Sequence, residues 1–67
     1  LANINRNIIT GDIDRYAAAL RPGAMMAVSG FYVADRPVVK AAAEAAGLEF
    51  VEAHELDNWS SMVFVKR

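Results

Sequence analysis

Ala24-Met25-Met26-Ala27-Val28-Ser29-Gly30 is the stretch that decides the fold, because it is short, nearly all apolar and bounded by glycines. A run of this length without polar alternation is typical of a strand covered on both faces. Strands of that kind occur mainly in parallel sheets with helices packed on the faces. The run therefore predicts an α/β fold, with helical segments on either side of the strand.

The segment before this strand predicts a helix from Asn5 to Leu20. Gly11 is a poor helix former and Asp12 is a good cap, so a break is expected there. Arg21-Pro22-Gly23 ends the helix, because the residue before Pro disfavours the α region and Gly accepts positive φ. Apolar residues recur at steps of three and four and form one buried stripe: Ile8, Ile9, Ile13, Tyr16, Ala17 and Leu20.

The segment after the strand predicts a second helix. Asp35 is expected to cap it, Pro37 suits its first turn, and Gly47 stops it after Ala46. Its slim apolar face suits close packing on a sheet and consists of Val38, Val39, Ala42, Ala45 and Ala46.

The last third of the chain predicts a β-hairpin. Its first strand starts at Leu48, Asp57-Asn58 is a turn pair that tolerates positive φ, and Trp59–Lys66 returns. Met62–Val65 is apolar on both faces, which predicts a central strand. With Leu1–Ile4 as the end of a first strand, the order is strand, helix, strand, helix, hairpin. Crossover helices would make the first three strands parallel, and the last strand must run antiparallel.

Composition excludes several classes of function. The 67 residues carry a formal net charge of −1 and no Cys, so no disulfide or thiolate metal site is expected. The seven basic residues are scattered, which argues against nucleic-acid binding, and no apolar run is long enough for a membrane span. These features fit a cytoplasmic protein.

The hydrophobic content is high for so short a chain. Hydrophobic residues make up 55% of the sequence, and the mean hydropathy is +0.20. Two interpretations remain open at this point. In the first, some faces are reserved for structure outside this sequence or for a second copy, and the chain alone is expected to self-associate. Alternatively, the sequence forms a tightly packed small domain.

A parallel α/β sheet that ends in a β-hairpin resembles the ending of the Rossmann-like class I methyltransferases, which use S-adenosylmethionine. Within that class, the chain resembles the ribosomal protein L-eleven methyltransferase family (PrmA type) over essentially all 67 residues. The resemblance implies that residues 1–67 are the C-terminal portion of a catalytic domain. It is carried by an ordered set of segments: Leu1–Ile9, Tyr16, Leu20–Gly23, Ser29–Tyr32 and Asp57–Trp59.

The resemblance also implies an activity. Family members transfer methyl groups from S-adenosylmethionine to lysine and N-terminal amines of a large-subunit ribosomal protein. Asn3 occupies the position of a cofactor-binding asparagine, although Ile4-Asn5 stands where related enzymes have two prolines. From the residues alone, Asn3 is also a candidate cap of the following helix, and both roles remain open.

The glycine-rich cofactor loop of the family does not occur in this sequence. The four glycines are isolated from one another, and none forms a Gly-x-Gly turn. The chain is therefore expected to complete the cofactor pocket without supplying the main cofactor-binding residues, and to be inactive alone. No residue is assigned as catalytic.

Further candidates lie near the strand ends. Gly30, Phe31 and Tyr32 are substrate-side candidates, with a strand-to-helix turn and core aromatics as the alternative. Trp59 is expected to pack against other side chains. The hairpin turn lies at the same end of the sheet as Gly30 only if the first strand of the hairpin is parallel to the strand ending at Gly30. His54, the sole histidine, has no second metal-type ligand at useful spacing, so no metal site is expected.

Two rival functions remain. One is a small, complete α/β binding or oligomerisation module, since turns and caps are complete from Asn5 onward. The other is a class I methyltransferase with a different substrate.

Overall fold

The computed structural model describes residues 2–5 and 9–67, with side chains described from Asp12 onward. These residues form four strands and two helices, with a 3₁₀ turn (Val33–Asp35) before the second helix and the last two strands in direct succession. The elements are β1 (Ala2–Asn5), α1 (Ile9–Ala19), β2 (Met25–Tyr32), α2 (Arg36–Ala45), β3 (Leu48–Leu56) and β4 (Trp59–Lys66).

The strands form one sheet in the order β1-β2-β4-β3. β1 pairs with β2 in parallel, and β4 pairs antiparallel with both β2 and β3. β2 and β3 therefore run in the same direction, with the final strand between them. This confirms an α/β fold in which the doubly apolar final strand is central.

α1 differs from the prediction at its start. Asn5 belongs to β1, and the helix runs without a break through Gly11. One Gly costs a helix only about 1 kcal/mol, so packing of the remaining turns overrides it. Asp12 forms an ion pair with Arg15, 3.2 Å away, instead of restarting the helix. Asn3 lies within β1, so it is not the cap of α1, and its capping role is wrong.

The apolar stripe of α1 is confirmed where side chains are described. Ile13 and Ala17 are buried, and Tyr16 and Leu20 pack against them. The predicted stripe residues Ile8 and Ile9 lie outside the residues whose side chains are described. After α1 the chain turns at Gly23, whose φ of 88° explains the glycine at that position.

α2 is confirmed in place, but its buried face is rotated. Val39 and Ala43 are buried, with Ala42 and Ala46 beside them, whereas Val38 and Ala45 are exposed. The spacing of three and four from Val39 defines the stripe, and Val38 falls one position off it. Asp35 precedes the helix as predicted, but its side chain makes no capping hydrogen bond because the 3₁₀ turn already leads the backbone into helical geometry.

Both helices pack on one face of the sheet, because their buried residues join a single core. From the sheet, this core takes Met26, Val28, Phe31, Leu48, Met62 and Phe64. On the opposite face Met25 is 39% exposed, and no described helix covers it. Within the described residues helices cover only one face of β2, because both described helices lie on the same side; cover of the second face stays a prediction.

Candidate functional site

Three segments of the chain meet at one edge of the sheet. β1 and β2 are parallel and end on the same side, with Asn5 in register with Ser29. β4 is antiparallel to β2, and Trp59 at its start pairs with Tyr32 at the end of β2. The hairpin turn therefore lies at the carboxyl ends of β1 and β2, which is where ligands bind in open α/β sheets. We call this edge the rim.

A β-bulge shapes the end of β2. The register between β2 and β4 shifts between Ser29 and Phe31, and Gly30 between them has a φ of 80°. An extra residue in one strand reverses which face the following side chains occupy. Phe31 consequently enters the core at 1% exposure, and Tyr32 is 43% exposed at the rim.

The rim carries a stacked aromatic pair. The rings of Tyr32 and Trp59 lie 4.6 Å apart between centroids with an interplanar angle of 17°. The turn before Trp59 places Asp57 at a φ of 50° and Asn58 at 70°, the arrangement of a type I′ hairpin turn. The Val33 N–H donates to the Asn58 carbonyl at 3.1 Å and ties the turn to the end of β2.

Arg36 anchors the hairpin to α2. Its Nε donates to the Ser60 hydroxyl at 2.7 Å, and another guanidinium nitrogen donates to the His54 carbonyl at 3.2 Å. The Ser60 hydroxyl donates to the same carbonyl at 3.2 Å. Ser60 is 4% exposed, so these bonds satisfy a hydroxyl that would otherwise be buried without partners. The network fixes the strand segment next to Trp59.

A concavity of about 270 Å³ lies between the end of β2 and the hairpin. Ser29, Ser61 and His54 are aligned across three neighbouring strands, since Ser61 is in register with both others. The indole of Trp59 and the side chain of Leu56 add apolar surface. The complete lining consists of Ser29, Gly30, His54, Glu55, Leu56, Trp59, Ser60 and Ser61.

The residues predicted from sequence have three different outcomes. Gly30 and Tyr32 lie exposed at the rim, whereas Phe31 lies in the core. Asn3 is in register with Ala27, two residues before the end of β1, and its side chain lies outside the described ones. The ligand roles of these residues stay predictions.

Sequence reasoning missed Arg36 and assigned Trp59 to packing. The indole packs on Tyr32, yet it is 45% exposed and borders the concavity. The only sequence signal for its position is the Asp57-Asn58 turn, which puts the next residue at the strand start. Nothing in the sequence pairs Arg36 with Ser60, because 24 positions separate them.

Metal-type residues do not gather at the rim. His54 lies 3.2 Å from a Glu52 carboxylate oxygen, with both side chains more than half exposed. Among the described residues, no group of three or more His, Cys, Asp or Glu side chains could hold a metal ion. No helix in the described part of the chain is long and apolar enough to cross a membrane.

Comparison with known proteins identifies relatives of the chain. No model of a protein family matches it. It is 43% identical over 67 residues to a ribosomal protein L11 methyltransferase of Phocaeicola vulgatus, covering the whole chain and 24% of that relative. It is 44% identical over 64 residues to the protein of the same name from Bacteroides thetaiotaomicron, covering 96% of the chain and 23% of the relative.

A relative of lower identity carries the same name. The ribosomal protein L11 methyltransferase of Brevibacillus brevis is 39% identical over all 67 residues, which are 21% of its length. The chain thus spans about a quarter of the relatives it matches, in a C-terminal part of each. The family indicated by the sequence is confirmed: the chain belongs, as a homologue of this C-terminal segment, to the ribosomal protein L11 methyltransferases.

Proposed function

We propose that the chain is the C-terminal portion of the catalytic domain of an S-adenosylmethionine-dependent protein methyltransferase. The observation that carries the proposal is the homology over the whole chain to methyltransferases of one name. The strand order β1-β2-β4-β3, with β4 antiparallel between two parallel strands, supports a Rossmann-like class I sheet. The sheet face without a described helix supports a larger domain around this piece.

The substrate we propose is an amine of a ribosomal protein of the large subunit, either a lysine or the N-terminal amine. The name shared by the relatives supports a ribosomal protein as the substrate, and the acidic hairpin supports a basic group on it. We place the reaction in the cytoplasm, with ribosomal protein as substrate.

The chain does not fit a complete cofactor site. Its concavity of about 270 Å³ lies below the 300–1,000 Å³ typical of small-molecule pockets. Its sequence also contains no Gly-x-Gly turn to cradle the donor. S-adenosylmethionine supplies an electrophilic methyl group when bound. We assign the main residues that bind it to the rest of the parent protein. Asn3 is the one cofactor contact that we propose for this chain.

The role proposed for this chain is to position the amine. Methyl transfer needs a neutral amine, and a lysine amine is protonated at neutral pH, so its surroundings must favour loss of the proton. Gly30 lacks a side chain at the rim and gives a substrate access to backbone groups. Tyr32 and Trp59 form an apolar wall beside it that excludes water. Orientation of this kind accelerates a transfer without a dedicated acid–base pair.

The experiment is methyl transfer by the parent protein onto purified large-subunit ribosomal proteins, followed by mass spectrometry of the products. Methylation of lysine or N-terminal amines of one protein is expected, with kcat lowered at least tenfold by Asn3→Ala. Matched binding calorimetry on the 67-residue chain alone should give no saturable binding of S-adenosylmethionine. Tight binding to the chain alone, or a parent protein that methylates no ribosomal protein, contradicts the proposal.

A further inference from the structure

Arg36 connects the start of α2 to the hairpin by hydrogen bonds to the Ser60 hydroxyl and the His54 carbonyl. We propose that it is a positioning residue for methyl transfer, which acts through the backbone of Trp59 and does not itself contact the substrate. This inference rests on the proposed function, in which the indole forms part of the wall beside the amine. The bonds that carry it lie within the chain, so they do not depend on what covers either face of the sheet.

Trp59 is held on both sides along the chain. The residue before it, Asn58, accepts a hydrogen bond at its carbonyl from the Val33 N–H at 3.1 Å. The residue after it, Ser60, accepts one at its hydroxyl from the Arg36 Nε at 2.7 Å. Both donors belong to the segment that joins the end of β2 to the first turn of α2. Because β2 ends in the tyrosine that stacks on the indole, these two bonds fix the two rings relative to each other.

The Arg36 contact and the indole lie on opposite faces of the sheet. Ser60 is in register with the core residue Phe31 and is 4% exposed, so its hydroxyl is on the side of the helices. Trp59 comes one position earlier and is in register with Tyr32, and side chains alternate between faces along a strand. Arg36 therefore holds β4 from the side of the helices, and its influence on an amine beside the indole must pass through the strand.

The geometry of this contact requires an arginine. The guanidinium donates from Nε to the Ser60 hydroxyl and from a second nitrogen to the His54 carbonyl at 3.2 Å. The Ser60 hydroxyl donates to the same carbonyl, so groups from α2, β4 and β3 close one ring of hydrogen bonds. A planar guanidinium reaches two acceptors in a fixed orientation, whereas a lysine ammonium is a point charge on a flexible stem. Hydrogen bonds from a charged donor are also stronger than those between neutral groups.

Loss of the ring of hydrogen bonds is expected to change the position of the indole and so to slow the transfer. A displacement of about 1 Å in a group that orients a substrate can lower a rate about 100-fold. The Val33 bond and the pairing of β4 with both neighbouring strands remain when Arg36 is replaced. The expected loss is therefore smaller, about tenfold in kcat.

The first experiment measures methyl transfer by the parent protein onto the ribosomal protein. Arg36→Met is expected to lower kcat about tenfold, while the KM for the ribosomal protein and the Kd for S-adenosylmethionine stay within about twofold. Arg36→Lys keeps the charge but cannot reach both acceptors, so it is expected to lower kcat at least about fivefold. Full activity of Arg36→Lys would show that charge alone is needed and would overturn the positioning role.

Lys66→Met is the matched control for stability. Lys66 also donates a side-chain hydrogen bond to a backbone carbonyl, that of Ala17 at 2.6 Å, but it lies at the opposite end of β4 from Trp59. Its loss is expected to lower the thermal unfolding midpoint by an amount similar to Arg36→Met and to leave kcat within about twofold. Equal losses of kcat in the two variants would mean that Arg36 acts only through overall stability, which overturns the proposal. Ser60→Ala removes one acceptor of the ring and is expected to lower kcat about threefold, so the test holds even where Arg36→Met fails to fold.

The second experiment follows the indole itself and does not depend on transfer. The parent protein is labelled with fluorotryptophan, and the fluorine resonance of Trp59 is assigned by its disappearance in Trp59→Phe. Arg36→Met is expected to shift or broaden this resonance, and Lys66→Met is expected to leave it unchanged. An unchanged resonance in Arg36→Met overturns the inference, whether or not the parent is active. A shifted resonance in a parent that transfers no methyl group would uphold the action of Arg36 on Trp59 and would contradict the proposed function.

Discussion

The two sides of β4 differ in what covers them. Its even-numbered residues Ser60, Met62 and Phe64 face the helices and are at most 4% exposed. The odd-numbered residues Ser61, Val63 and Val65 are only half-buried. Both sides of the strand are apolar in sequence, so its composition does not decide which side is buried. The difference arises from the two helices, which both pack on one face of the sheet.

The largest difference in unfolding free energy between the two sides is expected when Phe64→Ala is compared with Val65→Ala. Phe64 is fully buried, with its ring edge-on to Phe50 at 6.0 Å. Its truncation leaves a cavity and is expected to cost about 3–5 kcal/mol of unfolding free energy. Val65→Ala is expected to cost less than about 1 kcal/mol.

Urea unfolding of the chain, followed by the fluorescence of its single tryptophan, measures this difference. A folded unit of this length holds at most about 3–10 kcal/mol of stability, so the Phe64 variant should unfold at very low urea or before any is added. Equal midpoints for the two variants would mean that the odd side of β4 is also packed.

The second pair is Ser60→Ala against Ser61→Ala, which removes the same hydroxyl from neighbouring residues. The Ser60 hydroxyl accepts from Arg36 at 2.7 Å and donates to the His54 carbonyl. Its loss is expected to cost about 1–2 kcal/mol, since the Arg36 side chain is 29% exposed and water partly replaces the bond. Ser61 makes no side-chain hydrogen bond among the described residues.

Ser61→Ala is therefore expected to change unfolding free energy by less than about 0.5 kcal/mol. The same urea titration applies, and Arg36→Met serves as a check from the other end of the bond. If the losses of unfolding free energy from the Ser60 and Arg36 substitutions add fully in the double variant, the hydrogen bond between the two side chains contributes nothing to stability. Arg36 would then not anchor the hairpin to α2.

Sequence patterns predicted the elements better than the faces they bury. The turn pair Asp57-Asn58 and the stop at Gly47 were found because positive φ selects a few residue types. The buried stripe of α2 was predicted only in part: Val39 was placed on it correctly, but Ala43 was missed because alanines mark no preferred face, and it is identified only by what it contacts. Local periodicity carries no information on which sheet face a helix covers.

The candidate site was predictable only in outline. The position of the rim followed from strand direction, because parallel strands end together. The bulge at Gly30 was not predicted, and it decides that Phe31 enters the core and Tyr32 faces the rim. Contacts such as that of Arg36 with Ser60 join distant positions, and a single sequence contains no signal for them.

The third pair tests two cations at the end of β4. The Lys66 ammonium donates to the Ala17 carbonyl at 2.6 Å, in the last turn of α1. A cation at a helix C-terminus is favourable, so Lys66→Met is expected to cost about 1 kcal/mol. Arg67 pairs with Glu49 on the surface, and Arg67→Met is expected to cost no more than about 0.5 kcal/mol. Added salt should reduce the difference in unfolding free energy between the unsubstituted chain and Arg67→Met. A larger loss of unfolding free energy for Arg67→Met than for Lys66→Met would contradict the hydrogen bond between β4 and α1.

The smallest effect is expected at the turn that leads into β4. Asn58 has a φ of 70°, which Asn tolerates and Gly adopts without a steric cost. Asn58→Gly removes that cost, but it also raises the entropy of the unfolded chain, so the net gain should not exceed about 0.5 kcal/mol. The Asn58 carbonyl that accepts from Val33 is a backbone group, so the substitution leaves this bond in place. The emission maximum of Trp59 should then stay unchanged, because the stack on Tyr32 is held by the turn geometry and not by the Asn58 side chain. A shifted maximum with unchanged stability would show that the Asn58 side chain itself positions the indole.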